Sequence, residues 1–198
     1  MRKTAFLPLC IFVMLVACEK PVSKKVMIMG RGQITAAGNE ITMKDGSGYT
    51  EETIEVNEDQ PTTWNVNTPT GKISINIPAD KGFYVLNLKT DTIVGSQQNI
   101  RQDLAGRTMT QEELKAKIDS LVKLTTGSNV SAAAHNYFIL PNQLVKVSSN
   151  VDARVYGPFN KIPSTIEADK NGGAPEIYKL YTNTGLRELI ARLKKNTI

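Results

Sequence analysis

Few side chains in this chain are of a type and spacing that can do chemistry. One histidine, His135, stands in SAAAHNYF. A zinc site draws on several His or Cys ligands, so His135 reads as a loop or strand-end residue, and no metal or other cofactor is expected. Ser120 and Lys123 (SLVK) have the S-x-x-K spacing that sets both on one face of a helix, where a lysine can act as base toward a serine. The S-D-N and K-T-G segments that accompany such a pair are missing, and the two read as the solvated side of an amphipathic helix. The carboxylates Glu51/Glu52, Glu58/Asp59 and Glu112/Glu113 are sequence neighbours. Adjacent strand residues point to opposite faces, so no such pair brackets a glycosidic bond by itself. Gly30-Arg31-Gly32 lacks both the P-loop lysine and the dinucleotide-binding pattern, and is expected at a strand-to-turn position. No residue is assigned a catalytic role.

Aromatic rings offer a different chemistry, because a ring presents an apolar face with a polar rim. Trp64 lies in phase with Val66 and reads as core, while Tyr178 and Tyr181 fall in an apolar run. The segment Tyr156-Gly-Pro-Phe159 is turn-like. Loops carry function disproportionately, so Tyr156 and Phe159 are the candidate ligand-binding residues.

Positioning these groups falls to two kinds of element. From Val26 to Gly95 the apolar residues recur with a period of two, the mark of strands. Ile54 and Val56, then Trp64 and Val66, then Ile73, Ile75 and Ile77, then Tyr84, Leu86 and Leu88 each form one face. Turns are expected at Ala36–Glu40, Lys44–Gly48, Thr68–Gly71 and Pro78–Gly82. The period then changes. Thr110-Gln-Glu-Glu113 has the form of a capping box, and Leu114, Ile118, Leu121 and Val122 make a helical stripe ending near Leu124. Strand-like runs follow at Tyr137–Leu140, Leu144–Ser148, Ala153–Tyr156 and Ile177–Tyr181, with a loop at Asn171–Pro175. A last helix, capped by Thr184, carries Leu186, Leu189, Ile190 and Leu193 on one side and basic residues at its end. The expected fold is mainly β with minor α: an antiparallel β-sandwich-like part over residues 26–96, followed by a smaller α+β region over 97–198 with two amphipathic helices.

The chain begins differently. Arg2 and Lys3 precede an apolar run from Ala5 to Val16, twelve residues long. A bilayer span needs roughly twenty, so the run reads as a secretory signal. Leu15-Val16-Ala17-Cys18 resembles the lipobox of bacterial lipoproteins, in which the signal is cut before a cysteine that carries diacylglycerol. That resemblance implies a signal peptide over 1–17, lipidation at Cys18 and a tether over 18–25 (EKPVSKK after the cysteine). One acyl chain binds membranes reversibly, whereas two or three hold firmly. A membrane is thus the first expected partner, reached without a transmembrane helix. Cys10 leaves with the signal and Cys18 carries lipid, so residues after Cys18 contain no thiol and no disulfide. Loss of Arg2 and Lys3 leaves 22 basic against 19 acidic residues, a mild net charge of +3, and nucleic acid is not expected as a partner.

The run TGKISINIPADKGFYVLNL resembles the middle hairpins of immunoglobulin-like and transthyretin-like sandwich domains, which implies architecture and no particular function. Asp91-Thr92-Ile93 and Asp119-Ser120-Leu121 resemble the D-(S/T)-aliphatic O-glycosylation acceptor of Bacteroidota, marking Thr92 and Ser120 as candidate acceptors. In that lineage surface export resembles a rule asking for acids just after the cysteine. EKPVSKK has one acid and then three lysines, which leans toward the periplasmic side of the outer membrane. The combined expectation is a non-enzymatic lipoprotein of the cell envelope that binds or scaffolds a protein or glycan partner. The alternatives are a glycan-binding surface lipoprotein using Tyr156 and Phe159, and an envelope hydrolase whose carboxylates converge from distant positions.

Overall fold

The computed structural model describes residues 23–98, 109–131, 133–169 and 172–195. The lipobox-like segment and Cys18 lie outside them. The fold is mainly β, with two sheets and two helices.

Strands β1 (Lys24–Ala37) and β2 (Glu40–Val56) form a long antiparallel hairpin whose tip uses Gly38 at φ 59. Strands β3 (Thr62–Thr68), β4 (Gly71–Ile77), β5 (Gly82–Asn87) and β8 (Gln143–Ser148) complete a six-stranded sheet in the order β4-β3-β2-β1-β5-β8. The second sheet runs β7-β6-β10-β9, from β6 (Ile93–Gln97), β7 (Asn136–Ile139), β9 (Arg154–Tyr156) and β10 (Ile177–Thr182). Pairing is mixed: β1/β5, β2/β3 and β9/β10 run parallel. The all-antiparallel expectation is corrected there, since a period of two reports a half-buried face and not the direction of a neighbour. The first sheet takes β8 from late in the chain, so the two sheets do not divide cleanly at residue 96.

The expected turn at Lys44–Gly48 does not form. Strand β2 continues through it, and the chain bends there instead, where Gly46 packs on Gly32 beside a register shift in β1. Gly32 has φ +91 and would drive a Cβ into the Lys44 carbonyl, so only glycine fits. Strand β2 pairs with β1 on both sides of this shift, over Glu40–Lys44 and Tyr49–Val56, and with β3 on its other edge over Glu40–Thr42. The sheet then curls, and Trp64, Val66, Ile75 and Ile77 close over Val26, Ile28, Tyr84 and Leu86 in one apolar cluster.

The opposite faces of β1 and β5 (Met27, Met29, Phe83, Val85) meet Ile93, Ile139, Tyr178 and Leu180 of the second sheet. Strand β5 is therefore buried at every position, not on one face as its alternation suggests. The far side of the second sheet carries both helices, α1 (Gln111–Thr125) and α2 (Asn183–Lys195), through Val94, Ile118, Leu124, Leu186 and Ile190. Helix α1 has the expected capping box between Thr110 and Glu113, although Val122 is exposed. Helix α2 follows β10 without a break, so its cap is Thr182, whose hydroxyl accepts from the Gly185 amide at 3.0 Å, rather than Thr184. Among the described residues no helix is long and apolar enough to cross a membrane.

The chain enters the fold through a firm anchorage. The Ser23 hydroxyl donates to the Val56 and Glu58 carbonyls, both at 3.0 Å. Lys24, fully buried, donates from Nζ to the carbonyls of Gln60 (3.0 Å) and Pro78 (2.9 Å). A buried ammonium is tolerated only when its donors are satisfied. Here they tie β1 to two loops at one end of the molecule.

Candidate functional site

Halfway along β1, at the register of Arg31, two aromatic rings meet at the surface. Tyr49 comes from β2 and Phe159 from the loop after β9; they are 55 % and 54 % exposed. Their ring centroids lie 4.6 Å apart with planes 10° from parallel, a geometry that stabilises aromatic pairs by about 0.5–1.5 kcal/mol beyond area burial. Lys89, 6 % exposed, places Nζ 4.0 Å from the Tyr49 centroid and 4.4 Å from that of Phe159. Both separations are within the range of a cation–π contact, with the ammonium over each ring.

The loop bearing Phe159 is clamped from two sides. Lys179 of β10 donates from Nζ to the carbonyls of Gly157 (2.5 Å) and Asn160 (2.7 Å). Glu51, two residues along β2 from Tyr49, accepts from the Phe159 amide (3.4 Å) and from Asn160 Nδ2 (2.5 Å). Gly157 packs against the Glu51 carboxylate so closely that a Cβ would occupy the same space. The site thus joins the two sheets: β2 supplies one ring and the clamp, and the β9–β10 connection supplies the other ring. Burial pushes the Lys89 ammonium below its ordinary pKa, with Glu51 and Asp91 pulling the other way. Burial lowers Lys179 likewise, again opposed by Glu51. Among the described residues Lys89 Nζ finds no hydrogen-bond acceptor, so the rings are its principal partners, through cation–π attraction.

A second concave region lies near the chain entry, where Asp152 sits 3.6 Å from Lys25. One cleft of about 550 Å³ is lined by His135, Lys146, Ser148, Asn150, Glu176 and Tyr178. A neighbouring one of about 490 Å³ shares Asn150 and Glu176 and adds Asp152, Arg154, Glu167 and Asp169. Carboxylates do gather here from distant positions, but most hold the structure together. Glu176 accepts from the Ser148 hydroxyl (2.8 Å) and from the Tyr178 hydroxyl. Asp169 accepts from the Gly173 amide at 2.7 Å. Burial raises the Tyr178 phenol, and its hydrogen bond to Glu176 adds to the rise. Tyr137 is also raised, mainly by burial. Among the described residues no group of three or more His, Cys, Asp or Glu side chains is arranged to hold a metal.

Of the residues the sequence singles out, Phe159 is on the surface and half of the aromatic pair. Tyr156 is half-buried in β9 beside Lys179 and takes no part in the stack. Trp64 and Tyr178 are buried. His135 is exposed at the rim of the larger cleft. Ser120 is exposed on α1 with Lys123, and Thr92 is half-buried before β6. Asp91 of the same tripeptide accepts from the Thr184 amide at 3.2 Å. Cys18 lies outside the described residues. Tyr49 escapes the sequence reading because GSGYT looks like a turn. Its signal is a lone aromatic whose same-face neighbours, Ser47, Glu51 and Thr53, are all polar, a pattern that leaves a strand ring exposed. Comparison with protein-family models, with curated proteins and with solved structures gives no match.

Proposed function

We propose that the chain is a non-enzymatic lipoprotein of the bacterial cell envelope that binds carbohydrate through Tyr49 and Phe159. The observation that carries this reading is the half-exposed, stacked pair itself. Sugars bind proteins by laying their C–H faces on aromatic rings, and a ring pair fixed before the ligand arrives loses little entropy on binding. The clamp from Glu51 and Lys179 supplies that rigidity. The shared cluster between the two sheets favours a sandwich-like body beneath the site, with residues 26–96 as its larger part.

Anchoring would follow from lipidation at Cys18, at the outer membrane and facing the periplasm. Geometry favours a useful presentation. Lys25 and Arg31 are six residues apart on β1, about 20 Å at the rise of a strand, so the rings lie well away from the end where the tether joins. Binding of a panel of neutral and acidic oligosaccharides to the detergent-solubilised full chain tests the reading. Retention that disappears in both Tyr49→Ala and Phe159→Ala supports it. Absence of binding to every oligosaccharide, or binding indifferent to both substitutions, rejects it.

A further inference from the structure

We infer that the saccharide taken by this site is an acidic one, carrying a carboxylate or sulfate beside the sugar face that stacks. The inference rests on the carbohydrate reading above and adds the ligand's charge. Arg31 is the cross-strand partner of Tyr49 in the β1/β2 ladder. Directly opposite residues of an antiparallel pair project from the same face, with Cβ atoms about 4.5–5.5 Å apart. Arg31 is exposed and has no ion pair among the described residues, so its side chain leaves the sheet next to that of Tyr49 with a guanidinium available to a ligand. Lys89, more than nine-tenths buried and without an acceptor, is the second cation at the same place.

The nearby acids Glu51 and Asp91 offset part of this charge, and their oxygens are already engaged by the fold. Glu51 is turned into the loop, where Asn160 and the Phe159 amide take its oxygens. Asp91 is turned toward the Thr184 amide. The surface therefore presents two half-exposed rings, with exposed Arg31 as the ladder neighbour of Tyr49 and buried Lys89 over the rings. A neutral sugar would use the rings and leave Arg31 idle. An anionic substituent next to the stacked face would meet Arg31 in a bidentate contact, in the field of an ammonium screened from water by the rings.

The test uses the detergent-solubilised full-length chain against an immobilised panel of uronate-bearing, sialylated, sulfated and neutral oligosaccharides. Methyl esters of the uronates serve as matched neutral forms. Acidic members should be retained, their methyl esters should bind about tenfold more weakly, and Arg31→Gln should lose a similar factor toward acidic members only, as removal of one partner of a charge pair does. Phe159→Ala should abolish all retention. Neutral members bound as tightly as acidic ones, with Arg31→Gln silent, overturn the acidic assignment while the aromatic reading stands. No retention of any member overturns both. Retention of acidic members that survives Phe159→Ala overturns the site.

Discussion

The surface at the start of β1 and the one at its middle, by Arg31, are built on opposite plans. Near the chain entry the clefts are large and polar, yet their central groups already have partners: Glu176 holds two hydroxyls, and Tyr137 donates to the Val147 carbonyl. Farther along the strand two half-exposed rings are stacked at the surface, with exposed Arg31 as the ladder neighbour of Tyr49. Volume alone would favour the clefts as the binding site. What the comparison teaches is that recognition needs unsatisfied groups held rigidly, and concavity without them is packing geometry. At the chain entry polar groups stabilise the fold, whereas at the aromatic surface Lys179 and Glu51 hold in place a loop whose ring itself does little for stability.

The largest effect that separates the two surfaces should come from Tyr178. It is fully buried, lies edge-on to Tyr137 with centroids 5.8 Å apart, and holds Glu176. Tyr178→Ala should cost about 3–5 kcal/mol of unfolding free energy, the range for deleting a buried aromatic. Phe159→Ala at the aromatic surface should change stability by less than about 1 kcal/mol, as exposed substitutions do, while removing oligosaccharide retention. Urea unfolding of the two variants checks both halves. Equal stability losses would mean the surface pair is structural, and the contrast between the two surfaces would collapse.

Much of this architecture is legible in the sequence, and the exceptions have physical causes. The capping box at Thr110, the stripe Leu186, Leu189, Ile190 and Leu193, and the alternating strands all appear as read, because each depends on contacts within a few residues. Leu186 and Ile190 are buried and Leu189 and Leu193 partly so, all packed in the cluster under the second sheet. Direction of pairing, the burial of β5 on both faces and the bend of β2 at Gly46 depend on partners distant in the chain. The site follows the same division. Phe159 is conspicuous in YGPF, whereas Tyr49, Lys89 and Glu51 join it across separations such as the 108 residues between Glu51 and Phe159. No local pattern encodes that meeting.

Next in size are the lysines, which sharpen the comparison within the aromatic surface. Lys179 satisfies two carbonyls, and Gly157 is buried. Lys179→Met should leave those carbonyls without a donor, destabilise the fold by about 1–3 kcal/mol and loosen the loop, lowering oligosaccharide affinity. Among the described residues Lys89 has no hydrogen-bond acceptor and lies over the rings. The penalty for burying an ammonium is several kcal/mol, and desolvated cation–π attraction returns about 2, so the cost exceeds the gain. Lys89→Met, similar in volume, should therefore stabilise by about 1 kcal/mol while weakening retention of acidic sugars. Thermal and urea melts of the two variants should shift in opposite directions. A shift of the same sign in both would remove the distinction between a structural and a ligand-directed lysine.

The smallest effect is a pH dependence, and its sign follows from the direction of the shifts. Burial holds the folded-state pKa of Lys89 and Lys179 below the ordinary 10.5. Between the folded value and 10.5 the unfolded chain binds more protons than the fold, so stability rises with pH across that window. Below it the charge penalty is present in full, and above it the penalty is absent. Tyr84, Tyr137, Tyr178 and Tyr181 are raised above the ordinary 10.0, chiefly by burial. Above 10.0 the unfolded chain loses those protons first, and stability falls. The lysine contribution is isolated by the difference between Lys89→Met and the parent, in which the tyrosines cancel. That stability advantage should be constant near neutrality and shrink as pH climbs toward 10.5, because the parent sheds the buried charge that methionine never carried. Paired urea titrations from about pH 7 to pH 10.5 measure the difference directly. An advantage that grows with pH would mean Lys89 is favoured as a cation in the fold, with a partner other than the two rings.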